Sequence, residues 1–409
     1  MATASTPHSA LSDRQQEGQA HFCVGNAFFN HSSQTGRDLA VLAAIAHKTH
    51  HLPPSASFRV LDAMTGCGVR PLRYALEAKA DYIWANEGNW DLRNTLQTNL
   101  SASLSPEQYK ITHRDANSVF FDCYERKDFY DLIDIDSFGS PMPALASGLW
   151  AVKLGGLMYL ASTDGRATSG HAPDKSLQSY SAYARSHPAV HEQGLRLLIG
   201  TAVQQAAARG LSARPVFSWY KGEVNRVMLR IQRPVSWQPK YYGFLAYCHQ
   251  CGQFQTVHWK KLSQPVLCPC TSAPKPLKSD TASAWPAVSG PMWLGPLHDV
   301  DELETMKAIA LQLGQPAVNS AEASTQAKYW RKYPVLLDLL QAEAAMPPYY
   351  YSLAEIGRRG KMDIPARDRL IQSLLDAGFR ATRTHLSAQA IKTDAPIATC
   401  LELAQQVAQ

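Results

Sequence analysis

Short apolar runs alternate with polar breaks along this chain, and nearly every run closes on a polar or acidic residue. Residues 57–62 read as a buried strand ending in Asp62, followed by the tight turn Thr65-Gly66-Cys67-Gly68 and a helix start at Val69-Arg70. A second strand, residues 82–87, ends in Glu87, at the distance of about twenty residues from a glycine turn where an acid typically holds ribose hydroxyls. Residues 111–117 supply a third polar strand end with Asp115 and Ala116. Residues 130–135 alternate like a fourth strand and then break into Asp136-Ser137-Phe138-Gly139-Ser140-Pro141. Residues 149–161, the most apolar run, are divided by Lys153 and Gly155-Gly156 into a helix end, a turn and a buried strand. Residues 196–208 have the pattern of an amphipathic helix. Residues 216–220 and 226–231 read as an antiparallel pair around Lys221-Gly222-Glu223 that finishes the sheet. Strand and helix in this order predict an α/β, doubly wound, Rossmann-like domain built around an adenosine-containing cofactor.

A Pro-marked break between residues 233 and 239 places a boundary. Residues 21–235 then form the first domain and 236–409 a smaller α+β carboxyl-terminal domain, after a Ser/Thr/Ala/Gln-rich tail over 1–20 that is expected to be disordered. A length of 409 residues with 45% apolar content suffices for two ordinary cores. No run has the length of a membrane helix and the amino terminus lacks a signal-peptide pattern, so a cytoplasmic protein without membrane contact is expected. The net charge of +6 is modest, and its distribution matters more than its size. Arg358, Arg359, Lys361, Arg367, Arg369, Arg380, Arg383, His385 and Lys392 concentrate positive charge near the carboxyl end. Leu353, Ile356, Leu370, Leu374 and Leu375 interleave as a helical core pattern. A helical pair followed by a hairpin, as in a winged helix, fits this segment. Such a charge cluster serves either solubility or RNA phosphates.

Two constellations carry chemistry. Open α/β sheets bind ligands beyond the carboxyl ends of their strands, which puts Asp136 and Phe138 where reactions occur. An Asp there can accept a hydrogen bond from an amino group while a Phe two residues on stacks on a planar base, which is what methylating an exocyclic nitrogen needs. The bland alternative is an Asp that caps the following helix. The second constellation is Cys248-x-x-Cys251 with Cys268-x-Cys270, a zinc-knuckle pattern of four thiolates over residues 248–270. Its second half is one residue shorter than the usual spacing, so a site with a lost thiolate is the alternative reading. Cys23, Cys67, Cys123 and Cys400 are scattered, and a disulfide framework is not expected. Residues 271–289 read as a loop beyond the knuckle.

Several separated strings resemble the tRNA guanosine-26 N2-dimethyltransferase family, whose members are class I S-adenosylmethionine-dependent RNA methyltransferases. They are Asp134-Ile135-Asp136-Ser137-Phe138-Gly139-Ser140, Phe28-Phe29-Asn30 with Gly36-Arg37-Asp38-Leu39, and His191-Glu192-Gln193-Gly194-Leu195-Arg196. Gly290-Pro291-Met292-Trp293-Leu294-Gly295-Pro296-Leu297, and Thr384-His385 with Lys392-Thr393-Asp394-Ala395-Pro396, complete the set. The resemblance runs from about residue 21 to about residue 400. It implies S-adenosylmethionine as cofactor, a structural zinc ion at the knuckle, and tRNA as partner. The implied reaction gives N2-methyl- and N2,N2-dimethylguanosine at position 26, with position 27 left open. It also implies a cofactor site lined by Arg37, Asp62, Gly66, Arg70, Glu87, Asp115 and Ala116, with Asp136 and Phe138 catalytic. Arg37 and Arg70 are the candidates for the methionine carboxylate. Asp62 either orients the methionine amine or braces the glycine turn. The family usually has Pro where this chain has Ser137, which bears on the acceptor geometry. A monomer is expected. The alternatives are a related N-methyltransferase acting on another nucleic-acid or protein amine, and a non-catalytic RNA-binding relative.

Overall fold

The apolar runs assemble into one seven-stranded sheet. The computed structural model describes residues 14–234, 237–270, 285–315 and 327–408. An amino-terminal hairpin, β1 (Arg14–Glu17) and β2 (Ala20–Cys23), comes first. Residues 14–20, expected to belong to a disordered tail, are part of this hairpin instead. This polar segment pairs as a strand because the Glu17 carboxylate is buried against Arg37 and Arg73, which no apolar pattern announces. Residues 1–13 lie outside the described residues.

Five strands run parallel: β3 (Arg59–Asp62), β4 (Tyr82–Asn86), β5 (Tyr109–Thr112), β6 (Tyr130–Asp136) and β7 (Val152–Ser162). The expected turn at Gly155-Gly156 is inside β7, where the register with β6 shifts. The hairpin β8 (Ser212–Lys221) and β9 (Val224–Gln232) completes the order β5-β4-β3-β6-β7-β9-β8, with β9 antiparallel to β7. Strand order reverses between β3 and β6, so their carboxyl ends flank the crevice where open sheets bind ligands. Helix Gln34–His50 buries almost its whole middle because it is wedged against β7 and helix Val300–Leu313.

Beyond residue 237, β10 (Tyr242–Tyr247), β11 (Phe254–Val257) and β12 (Ala287–Trp293) form an antiparallel sheet of order β11-β10-β12. The loop expected over 271–289 falls for 271–284 outside the described residues, and from Ala287 the chain is strand. β12 lies on helix Val190–Ala208 at Gly200, where a Cβ would come within 2.9 Å of the Trp293 backbone nitrogen. Helices Val300–Leu313 and Tyr333–Ala344 pack on each other. The end of the chain is β13 (Tyr351–Ser352), helices Leu353–Gly360 and Arg367–Asp376, β14 (Ala381–Arg383), β15 (Ala390–Thr393) and helix Ile397–Ala408. Helix, helix, hairpin in this order has the winged-helix arrangement the sequence suggests. One apolar cluster runs from Leu195 and Val227 through Leu245 and Met292 to Leu370 and Ile391, so residues from both sides of the expected boundary share core, while residues 233, 234 and 237–240 beside it are exposed. Among the described residues no helix is long and apolar enough to cross a membrane.

Candidate active site

The polar strand ends converge on one cleft of about 940 Å³ at the carboxyl edge of the sheet. Arg37, Gly66, Arg70, Glu87, Asp115, Ala116, Asp136 and Phe138 all line it. Asp62 does not. It is fully buried beneath the turn, where its carboxylate accepts from Met64 N at 3.2 Å and Thr65 Oγ1 at 3.1 Å. Of its two readings, the structure gives the brace.

The turn is shaped for a close ligand. Gly66 has φ +58°, and a Cβ there would meet nothing within 4 Å, so the backbone faces open space. Its N–H donates to Glu87 Oε2 at 2.7 Å, and Glu87 Oε1 accepts from Asn89 N at 2.8 Å, which fixes the carboxylate at the end of β4. Asp115 caps helix Ala116–Arg126 by accepting from Ser118 N at 3.2 Å. Asn86 ties these strand ends together. Its amide donates to Ala63 O at 3.0 Å and Arg114 O at 2.9 Å, and its Oδ1 accepts from Thr112 Oγ1 at 2.7 Å. The signal that could have found it is a polar last residue on an otherwise buried strand.

Across the cleft, the position of Asp136 is set by a buried chain of contacts. Arg70 Nη2 donates to Asp136 Oδ2 at 2.6 Å and to the Tyr159 hydroxyl at 3.2 Å, and Arg70 Nη1 donates to Asp134 Oδ2 at 3.1 Å. The same Asp134 oxygen accepts from the Tyr74 hydroxyl at 2.7 Å, and the Arg70 guanidinium lies 4.4 Å from the Tyr159 ring centre. Burial pushes the Asp134 carboxyl up to about 6. Burial also raises Asp136, but Arg70, Arg226 and Arg37 outweigh it and hold its carboxyl below the usual range. Asp136 is thus a carboxylate at neutral pH.

The two expected carboxylate clamps are already engaged. Arg70 holds the Asp134–Asp136 pair. Arg37 is forked on Glu17, with Nε to Oε1 at 2.7 Å and Nη2 to Oε2 at 2.5 Å, and lies 4.9 Å from the Phe29 ring centre. Arg226, which the sequence pattern offered only as a strand residue, also lines the cleft and donates to Ser33 Oγ at 2.7 Å. Gly36 makes room for it, since a Cβ there would fall 2.5 Å from Arg226 Cδ. Two rings stand at the mouth. Phe138 is 74% exposed and Phe28 69% exposed, and they meet edge to face at 5.1 Å. Phe29 instead packs against Phe22, and the Asn30 side chain caps a turn by accepting from Ser32 N at 2.9 Å.

Other family-like strings meet away from the cleft. Glu192 accepts from Lys392 Nζ at 2.5 Å and from Arg196 Nη2 at 2.7 Å, and Arg196 Nη1 donates to Trp293 O at 3.0 Å and Gly295 O at 2.8 Å. Thr384 Oγ1 donates to Glu343 Oε2 at 2.6 Å, and the His385 ring donates to Glu343 Oε1. His298 Nδ1 accepts from Ser218 N at 3.2 Å and His385 Nε2 from Tyr220 N at 3.4 Å. The remaining nitrogen of each ring faces Glu343, with His298 Nε2 3.5 Å from Oε1, and the three side chains form one buried cluster. The basic segment is also less free than its composition suggests. Arg358 and Arg359 pair with Glu355, Arg367 and Arg383 with Asp368, and Arg380 with Asp394, while Lys392 and the His385 ring are buried.

The four knuckle cysteines do come together, including both from the short Cys268-x-Cys270 half. Cys248 Sγ lies 3.6 Å from Cys270 Sγ, and Cys251 Sγ lies 3.4 Å from Cys268 Sγ. Those separations are far too long for disulfides and near the ~3.8 Å edge of a zinc–thiolate tetrahedron. The donor set fits structural zinc. Arg359 ties the knuckle to the winged-helix part, donating to Gln250 O at 2.7 Å and His249 O at 3.0 Å.

Sheet order, a polar residue at each parallel strand end, and the glycine turn define the class: a Rossmann-like methyltransferase joined to a smaller part with a four-cysteine cluster. Residues 13–405 match the model of the family described as N2,N2-dimethylguanosine tRNA methyltransferase, and the chain belongs to that family. Among its relatives, the tRNA (guanine(26)-N(2))-dimethyltransferase of Thermococcus kodakarensis is 28% identical over 96% of this chain and 98% of its own length. The enzyme of the same name from Schizosaccharomyces pombe is 30% identical over 83% of this chain and 62% of its own. The solved structure of Trm1 from Pyrococcus horikoshii with S-adenosyl-L-methionine superposes with a TM-score of 0.76 at 26% identity, covering 95% of this chain and 99% of that one.

Proposed function

We propose that this protein transfers methyl groups from S-adenosylmethionine to the exocyclic N2 of guanosine 26 in tRNA. The observation that carries the reading is an ionised Asp136 beside an exposed Phe138, facing the glycine turn across one cleft. The cofactor supplies an electrophilic methyl group on a sulfonium. The chain's own residues bind, orient and stabilise. Glu87 takes the ribose hydroxyls, and Asp115 with the Ala116 amide takes the adenine edge. The engaged guanidiniums of Arg37 and Arg70, with the amino end of helix Val69–Leu76, offer positive potential to the methionine carboxylate. Phe138 and Phe28 flank the extruded guanine. Asp136 accepts a hydrogen bond from the N2 amine, aims its weak lone pair at the methyl group and stabilises the positive charge that develops on nitrogen. The carboxyl-terminal part, 236–409, positions the tRNA by phosphate contacts. A cytoplasmic monomer is the state proposed, in keeping with a tRNA-modifying family.

Labelled methyl transfer to an unmodified tRNA transcript tests the reading, with no transfer expected when guanosine 26 is replaced by adenosine. Glu87→Ala should weaken S-adenosylmethionine binding by roughly tenfold, the scale of a lost charge-assisted hydrogen bond. Unchanged affinity by calorimetry would count against the ribose role. Metal analysis should find about one zinc per chain, and chelation should lower the melting temperature. A metal-free protein with the wild-type melting curve would remove the zinc claim.

A further inference from the structure

A second pocket of about 390 Å³ opens beside the cleft and shares Thr163 and Glu223 with it. Its wall includes the His191 and Tyr220 rings, stacked at 4.2 Å and 19°, with Arg166 at the rim and Asn225 behind. Three features mark it as built. Asn225 is only 2% exposed, yet its Oδ1 has no hydrogen-bond partner among the described residues. Its amide fits only because residue 194 is glycine, since a Cβ there would fall 2.7 Å from Asn225 Oδ1. Glu223, the second residue of the β8–β9 hairpin turn, divides the two cavities and fixes the Tyr220 ring by accepting from its hydroxyl at 3.2 Å.

We propose that this side pocket receives a nucleotide directly flanking the methylated guanosine, stacked on the His191–Tyr220 pair with its phosphate near Arg166 and Asn225 behind it. The inference rests on the tRNA reading above. Extruding one base unstacks its neighbours, and an aromatic face beside an amide and a guanidinium is how proteins hold an unstacked RNA base. The pocket contributes a binding step and leaves the methyl transfer itself to the cleft.

The test uses wild-type protein first, with tRNA transcripts made abasic at position 25 or at position 27. At one of the two, kcat/KM for tRNA should fall by about tenfold or more, as expected for one lost base–aromatic stack, while the KM for S-adenosylmethionine stays constant. His191→Ala should cause a similar fall on the intact transcript and add little on that abasic one, and His191→Phe should restore much of the loss. Full activity on both abasic transcripts overturns the proposal, as does a His191→Ala loss that multiplies with the abasic loss. No transfer to the intact transcript would instead reject the parent reading.

Discussion

Asp136→Ala is expected to cut methyl transfer by at least about a hundredfold, the usual scale for losing a positioned acid–base or electrostatic group, with S-adenosylmethionine affinity close to wild type. The expectation follows from the division of labour at the carboxylate. Asp136 Oδ2 is occupied by Arg70 at 2.6 Å, and Arg70 is itself fixed by Asp134 and Tyr159, so the group cannot turn away from the cleft. The neighbouring arginines keep it ionised despite burial, so at neutral pH it accepts and does not donate. The cofactor contacts proposed for Glu87, Asp115 and Ala116 are on the other strand ends. Asp136→Asn separates charge from packing, because an amide oxygen still serves Arg70 while the negative charge is gone. Single-turnover transfer at saturating cofactor, with calorimetry for binding, reads both effects. Preserved turnover in either variant would take Asp136 out of the mechanism.

The largest stability effect is expected at Glu192. It is the buried carboxylate between Arg196 and Lys392, both themselves buried. Glu192→Gln would leave two cations packed without their shared partner, and removing one member of a buried ion cluster typically costs about 3–5 kcal/mol. Lys392→Met should cost much less, because Glu192 keeps Arg196 and a buried ammonium is removed along with its desolvation cost. Burial already pushes the Lys392 amine below its ordinary range. Denaturant-induced unfolding followed by two probes distinguishes the variants. Equal losses, or a Glu192→Gln protein as stable as wild type, would show that the cluster does not hold the two halves together.

The sheet was legible because its strands are apolar runs closed by polar residues, and the ends Asp62, Glu87, Asp115 and Asp136 fall where that pattern puts them. The use of each end was less legible. Asp62 is taken up locally by Met64 and Thr65, whereas Arg70 holds Asp134 and Asp136 across 60 or more residues, a contact no local pattern encodes. The motif strings look alike as sequence, yet Asp136, Phe138 and Phe28 line the cleft while Glu192, Lys392, Thr384 and His385 build a buried junction. Lys392 meets Glu192 across a separation of 200 residues, which no local pattern encodes. The basic carboxyl-terminal segment is less free than composition suggests. Composition counts its arginines but not the Glu355, Asp368 and Asp394 that pair with them.

The central claim is methyl transfer to the N2 of guanosine 26, and nucleoside mass spectrometry tests it most directly. Purified protein would be incubated with methyl-labelled S-adenosylmethionine and unmodified tRNA transcripts, and the digested nucleosides then mapped to position. The account predicts label in N2-methyl- and N2,N2-dimethylguanosine at position 26. Label confined to another nucleoside, or none despite measurable cofactor binding, would contradict it.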